Sequence, residues 1–556
     1  AALIQDAVDV ANPGDTIYVG EGTWTEFVIL SSDRIALIGM GAGNTIIENY
    51  TSSFTIRILG DTVTIEGFSL ISDYNLIANS GISCLYFGHV EIKNNYFFGN
   101  HAGVSGNLGG RVTNNYFESN NGAFLIVSVK DSLTLSNNTV FHDEGPTFFI
   151  DDMYPDGSKF IIRNNLLYAH SQSSTFVYYV PPSTDTVFIH NNVFFKKIGI
   201  SGGPGVTLTF GLSTDLHKFY NNTINGVYDS CSIYVRSAGI KAYYHDTVAT
   251  IDNNIVMNCD YILRNDSDIP AKVRYSVFYN IAEDYFHGPG EFGEGNIFEN
   301  PMFMDTLDFH LQAFSRAVDS GDPAVFDPDG SRSDIGAYGG PYGETYEYFD
   351  LPPEIPDSLW AEVSSEMDTI YIHWRFNTES DFNLYQVHRD TIPDFEPDIF
   401  NLIAEPESSY HADIDWTPDQ DYYYKIASID NQDNRSEYSE ELAVVFTGIY
   451  DYSDPNYPTS AVLHQNYPNP FNQNTVINYY LPNVGVQPGE VKLEIYDIMG
   501  RVIRTLVNER QYPGEYSLTW DGKDEMRREL PSGVYFYRLF ITGIEFSKPK
   551  KLMLMK

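Results

Sequence analysis

Paired asparagines interrupt apolar runs at intervals along the first half of the chain. "VFIHNNVFF" (187–195) is one case, and "EIKNNYF", "RVTNNYF", "LSNNTVF", "IIRNNLLY", "KFYNNTI" and "IDNNIVM" repeat it. The first Asn of each pair stands at 94, 114, 137, 164, 191, 221 and 253, so successive pairs lie 20, 23, 27, 27, 30 and 32 residues apart. A drifting period of this size predicts a solenoid whose coils carry loops of unequal length. Two residues before each first Asn come Ile92, Val112, Leu135, Ile162, Ile189, Phe219 and Ile251; three after come Phe97, Phe117, Val140, Leu167, Phe194, Ile224 and Val256. Residues two apart on a strand share a face, which predicts that the first Asn points inward with the core. The second Asn is then expected in the turn, where this residue type tolerates left-handed backbone. Stacked coils would bring the inward carboxamides about 4.8 Å apart, close enough to form a ladder that satisfies them.

The chain before these pairs reads as an entry. Ile4, Ala7, Val8 and Ala11 fall on one helical face, and Pro13-Gly14-Asp15 ends that helix. A short helix here would cover the open edge of the first coil. Short strands follow in "TIYVG", "FVIL", "IALIGMG", "TIIEN" and "VTIEGFSLI". "IQDAVDVANPGDTIYVGEGTWTE" at the start and "FHLQAFSRAVDSGDP" with "DPDGSRSDIGAYGGP" at the far end resemble the opening and closing segments of right-handed parallel β-helix proteins of the pectate-lyase-like superfamily. The resemblance spans about residues 1–342 and implies a β-helix of about a dozen coils. Polygalacturonase-type members carry Asn-Thr-Asp, Asp-Asp, Gly-His-Gly and Arg-Ile-Lys motifs. Here only an Asp-Asp is present, so the resemblance names no enzyme activity.

A Pro-rich break, "YFDLPPEIPDS", separates this region from residues 354–447. There "TIYIHWRF", "FNLYQVHRD" and "DYYYKIASIDNQDNRSEYSEELAVVF" alternate and turn as an antiparallel sandwich does, with Trp374 expected between the sheets and a corner tyrosine within 422–424. The segment resembles a fibronectin type III domain. A second break precedes residues 460–556. In this last part Val491, Leu493 and Ile495 alternate with Lys492 and Glu494, and Trp520 precedes an Asp-Gly turn. "LHQNYPNPFNQNTVINYYLP", "VKLEIYDIMGRVIRTLV", "PSGVYFYRL" and the terminal "KKLMLMK" resemble the Ig-like, type A sorting domain of type IX secretion in Bacteroidota. That resemblance implies the type IX machinery as a partner and an extracellular or outer-surface location. The fold class is thus all-β: a parallel β-helix followed by two Ig-like sandwiches.

Composition narrows the function. The 556 residues exceed one ordinary core and fit two to four domains. Acids outnumber bases 75 to 33, a net charge of −42 that repels nucleic acid, anionic membranes and, without a cation, acidic polysaccharide. Cys84, Cys231 and Cys259 are too few for a disulfide framework and are expected as small buried residues. No apolar run approaches the roughly 18 residues of a membrane span, and "AALIQDAVDV" has no signal-peptide pattern.

Candidate chemistry lies on the strands "TFFIDDMY", "TFVYYVPP", "VTLTF" and "SIYVRS". If these stack in successive coils, they offer Asp151, Asp152 and Arg236 as catalytic groups and Tyr178, Tyr179, Thr209 and Tyr234 as sugar-binding groups. A carboxylate pair suits acid–base work, flat tyrosine rings suit sugar faces, and a guanidinium suits a uronate. A second column before the Asn corners contains Arg163, His190, Tyr220 and Asp252, polar as outward positions usually are. Asp327, Asp329 and Asp334 surround a Gly turn in "FDPDGSRSDIG", hard oxygen ligands suited to structural Ca²⁺. The expectation is a secreted or surface protein that binds, and if an enzyme cleaves as a lyase or glycoside hydrolase, polysaccharide. The alternative is a non-catalytic adhesin or structural stalk.

Overall fold

The computed structural model describes residues 3–72, 79–118, 120, 122–142, 148–151, 158–169, 176–179, 186–196, 207–210, 217–226, 232–235, 249–259, 261–265, 270–281, 285–364, 369–417, 420–445, 461–472, 474–481, 489–498, 500–511, 514–541 and 549–555. The chain divides into two compact units, one of residues 1–297 with 303–348, the other of 298–302 with 349–556.

The first unit is a parallel β-helix. Its described strands form one sheet of 20 strands and one of 11, every pairing parallel between coils. The larger sheet holds two rows of strands, joined where Ser80–Lys93, Ala102–Thr113 and Phe124–Ser136 run unbroken across both. The 11-stranded sheet starts just after each Asn corner. The interior is a stack of apolar side chains, and all fourteen residues that flank the asparagines are buried. Phe97 and Phe117 stack face to face with centroids 4.5 Å apart. The helix Ile4–Asp9 covers the first coil, as expected, but only Ile4 and Val8 are buried; Ala7 is exposed and Ala11 half-buried. Gln5 adds a device that the apolar pattern did not indicate. Its side chain accepts from Ile29 N (2.7 Å), so it occupies the open edge of a strand in place of another coil.

The asparagine pairs do form a ladder, with the roles of the two residues exchanged. Asn94, Asn114, Asn137, Asn164, Asn191, Asn221 and Asn253 all have positive φ, between 49° and 57°. The inward residues are the second ones: Asn95, Asn115, Asn138, Asn165, Asn192, Asn222 and Asn254, each 0–2% exposed. The physical reason is parity. The two inward apolar positions at each corner are five residues apart, an odd number, so alternation must break once between them. The left-handed residue is that break, and it shifts the following Asn into the interior. Along the column, each Nδ2 donates to the next Oδ1 at 2.9–3.2 Å. Each also donates to a carbonyl of the preceding coil, as Asn165 does to Leu135 O (3.0 Å). Ser276 and then Asn296 continue the column after Asn254.

Residues 322–342 fold back along the corner as a strap. Asp322 N donates to Asn253 Oδ1 (2.7 Å), Asn221 Nδ2 to Asp334 O (3.2 Å), Asn191 Nδ2 to Ala337 O (2.8 Å) and Asn164 Nδ2 to Tyr342 O (2.9 Å). The strap therefore descends the coils in reverse order. Together with residues 303–318 it covers part of the smaller sheet, packing Phe309 and Ala337 on Val193 and Phe195, and Leu311, Ala317 and Ile335 on Ile255 and Val277.

The second unit contains two antiparallel sandwiches. In the first, a three-stranded sheet (Trp360–Val363, Ile370–His373, Tyr410–Asp413) faces a four-stranded one (Leu402–Ala404, Phe382–Asp390, Tyr422–Asp430, Leu442–Val444). Trp374 is buried in its core, and Thr417 N donates to Tyr422 Oη (2.8 Å), which makes Tyr422 the corner tyrosine. In the second, three strands within 462–520 face four within 489–554 around Trp520, Tyr479 and Tyr537. Val491, Leu493 and Ile495 point inward, and the terminal strand Lys550–Leu554 pairs with Gly533–Ile541.

Candidate functional site

The smaller sheet presents an aromatic strip to the outside of the β-helix. Its outward positions lie two and four residues after each left-handed Asn. They place Tyr96 beside Tyr116, and Phe98, Glu118, Phe141, Tyr168 and Phe195 in consecutive register. Ring centroids are 5.7 Å apart for Tyr96 and Tyr116, 5.6 Å for Tyr116 and Phe141, 4.9 Å for Phe141 and Tyr168, and 5.0 Å for Tyr168 and Phe195. The rings are thus spaced by the rise of the coils themselves. Phe98 is 37% and Tyr116 39% exposed, whereas Phe195 is 4% exposed because Phe309 covers it. The strip is open over the earlier coils and ends against the segment that packs on Phe195. Tyr96 Oη donates to Glu118 (2.8 Å), which fixes the ring; burial and this carboxylate push the phenol well above its ordinary range. The sequence carried a signal for the strip: aromatic residues recur four positions after the first Asn, at 98, 141, 168 and 195.

The residues expected from sequence lie elsewhere. Asp151 ends the strand Phe148–Asp151 and pairs with Tyr179. Thr209 pairs with Tyr234, and Tyr234 with Arg264. Tyr178 is one register position off, because Val177 is the residue that pairs with Thr209. Backbone register therefore brings together Asp151 with Tyr179 and Thr209 with Tyr234. Asp152 and Arg236 lie outside the described residues.

The column Arg163, His190, Tyr220, Asp252 is in consecutive register, and its inner members are structural. His190 is buried between Tyr220 (centroids 4.8 Å, 7° between planes) and Tyr342 of the strap (4.8 Å), with Nδ1–H donating to Asn191 Oδ1 (2.7 Å). Burial is the main cause that lowers its pKa to about 4. Asp252 is paired with Arg274 at 2.7 Å.

Asp327, Asp329 and Asp334 hold the strap's own turns. Asp327 accepts from Asp334 N (2.9 Å) and Gly340 N; Asp329 from Ser331 N and Oγ; buried Asp334 from Asp319 N (2.9 Å) and Tyr348 Oη (2.8 Å). Among the described residues, the acidic trio whose ligand oxygens gather within 4.8 Å is a different one, Asp350, Asp381 and Asp430. Of the cysteines, Cys84 and Cys259 are buried as expected; Cys84 is a free thiol pushed up to about 12 by burial, while Cys259 is disulfide-bonded, which the count of three did not indicate.

Comparison with known proteins defines the class. A model of the right handed beta helix region matches residues 54–224, and one of the FlgD Ig-like domain matches 483–540. The chain is therefore an all-β protein in which a right-handed β-helix precedes Fn3- and Ig-like sandwiches. No curated protein matches it. Similar solved structures include an Fn3-like protein from Clostridium thermocellum, at 23% identity over 17% of this chain and 92% of that one, TM-score 0.15. Dimeric latent PorU from Porphyromonas gingivalis is 17% identical over 37% of this chain and 20% of its own, TM-score 0.19. Chitinase ChiA74 from Bacillus thuringiensis is 11% identical over 38% of this chain and 30% of its own, TM-score 0.15.

Proposed function

We propose that this is an extracellular or surface-attached β-helix protein that binds polysaccharide along the aromatic strip, with Tyr116 and Tyr168 as its stacking platforms. The observation that carries the reading is the outward run of rings Tyr96, Tyr116, Phe141 and Tyr168, each 4.9–5.7 Å from the next, with Tyr116 exposed and the others half-buried. Large apolar side chains left in a contiguous outward row favour a ligand with flat apolar faces and a polar rim, and sugar rings have that character. A net charge of −42 favours neutral over acidic glycans. The disulfide at Cys259 supports an oxidising compartment. On this reading the terminal Ig-like domain, with its "QNYPNPFN" and "PSGVYFYRL" motifs, serves type IX export. Binding without turnover is the function in view, since the backbone of Asp151 lies in the larger sheet and the strip in the smaller one.

The test is gel retardation of the full chain in gels cast with neutral and uronate polysaccharides. At least one neutral glycan should retard it, and Tyr116→Ala with Tyr168→Ala should weaken binding by about tenfold per ring, the worth of one or two kcal/mol of stacking. Unchanged retardation in the double variant, or none across the panel, would sink the proposal in favour of a structural stalk.

A further inference from the structure

A second site lies in the first sandwich, where Asp350, Asp381 and Asp430 bring their ligand oxygens within 4.8 Å of one another. The three come from distant points of the chain: the segment entering the domain, the turn residue just before the strand Phe382–Asp390, and the end of the strand Tyr422–Asp430. Asp430 is fully buried and Asp381 is 5% exposed.

Their hydrogen bonding is uneven. Asp430 accepts from Gln432 N (2.9 Å), Asn434 N (2.8 Å) and Asn434 Nδ2 (2.9 Å). Asn434 Nδ2 also donates to Asp350 Oδ2 (2.6 Å). Yet Asp381 Oδ2 and Asp350 Oδ1 are buried and accept no hydrogen bond. Among the described residues, none of the three carboxylates has an ion-pair partner. A buried carboxylate oxygen with no donor is costly, and three converging carboxylates compound that cost by mutual repulsion. Two arrangements relieve it: a proton on one oxygen, or a cation among all three. A shared proton joins at most two of the three carboxylates, whereas a cation takes all three as ligands.

We infer that Asp350, Asp381 and Asp430 form a divalent-cation site, selective for Ca²⁺, that fastens the entering segment to the loop end of the first sandwich. All-oxygen, carboxylate-rich donors suit Ca²⁺, and ligands on opposite sides of an ion held at about 2.3–2.6 Å stand about 5 Å apart, as these oxygens can. Further along, the entering segment is tied by Ser428 Oγ to Glu354 O (2.6 Å), Asn377 Nδ2 to Glu354 O (2.8 Å), Glu354 N to Glu379 (2.6 Å) and the Arg375–Asp357 ion pair, so the cation would fasten its first residues.

The test is calorimetric titration of the EDTA-treated full chain with CaCl₂ and MgCl₂, with thermal unfolding followed in parallel. The inference expects Ca²⁺ to bind and to raise an unfolding transition by several degrees, with Mg²⁺ at least tenfold weaker. Asp381→Asn keeps the shape and should weaken Ca²⁺ by tenfold or more, while Asp329→Asn in the strap should leave that binding unchanged. No Ca²⁺ binding to the parent chain, or binding that Asp381→Asn leaves intact, would overturn it. Loss in Asp329→Asn alone would move the cation to the strap and overturn it equally. None of these outcomes touches the glycan reading, whose residues lie in the other unit.

Discussion

The β-helix and the terminal sandwich solve one problem in opposite ways. Both must bury strands whose backbone groups need partners. The sandwich concentrates its interior around a few large side chains, with Trp520, Tyr479 and Tyr537 all at 0% exposure, and its strands are joined antiparallel. The β-helix distributes its interior along an axis, and each coil contributes small layers of Ile, Val, Leu and Phe plus one amide at the corner. A contact in the sandwich is made once, whereas a contact in the β-helix is made again in the next coil. Damage should therefore be global in the sandwich and local in the solenoid.

The sharpest test of that contrast is Trp520→Ala, which empties the centre of the terminal sandwich. It should cost about 3–5 kcal/mol and, by calorimetry, remove that domain's transition while leaving the β-helix transition in place. A uniform small shift of both transitions would contradict the division. Next comes Asn165→Ala, in the middle of the ladder. It removes the acceptor of Asn138 N and Nδ2 and the donor to Leu135 O and Asn192 Oδ1. Asn138 N then loses its side-chain acceptor, and Asn138 Nδ2 and Asn192 Oδ1 each lose one of their partners; the change should cost about 3 kcal/mol, with hydrogen exchange accelerated in neighbouring coils rather than throughout. Exchange that rises equally in every coil would show the solenoid to be one cooperative block.

The third concerns pH. His190 stays neutral in the folded state down to about pH 4, against an ordinary value of 6.5. The unfolded chain takes up this proton first, so its contribution to stability falls as pH drops through that window, by about 1.4 kcal/mol per unit. Denaturant titrations of the parent and His190→Gln at pH 7 and pH 4.5 should show the parent losing more by about 2–3 kcal/mol. Equal losses would place the acid sensitivity elsewhere. The smallest effect is expected at Asn137, exposed and left-handed at φ 53°. Asn137→Ala should cost about 1 kcal/mol and Asn137→Gly much less, read from the midpoint of unfolding.

Much of the architecture was legible because solenoid patterns repeat. Seven corners gave seven chances to see that Ile162 and Leu167 bracket Asn164-Asn165, and both are buried as expected. The inverted roles of the two asparagines arose because alternation was followed from the entering strand alone. Counted back from Leu167, the same rule puts Asn165 inside. The aromatic strip was harder. Tyr178 and Tyr234 drew attention as conspicuous tyrosines on strands, but stacking order follows register, and register across loops of unequal length is not written in either strand. Tyr116 and Tyr168 could be aligned through their corners, where the count is fixed. Asp350, Asp381 and Asp430 lay beyond such reading, since only the folded sandwich brings residues from its entry, its middle and its end into one place.

The strap has a consequence for how the chain is assembled. The side-chain amides of Asn191, Asn221 and Asn253 donate or accept across more than 65 residues to a segment that leaves the ribosome after all of them. The early coils, from residue 16 to about 142, can close on themselves as they emerge. The later ones must wait, with those corner amides wet, until residues 322–342 arrive. A chain halted before Asp322 should thus keep a protease-resistant front and a digestible rear, a polarity in time that the repeating sequence does not itself display.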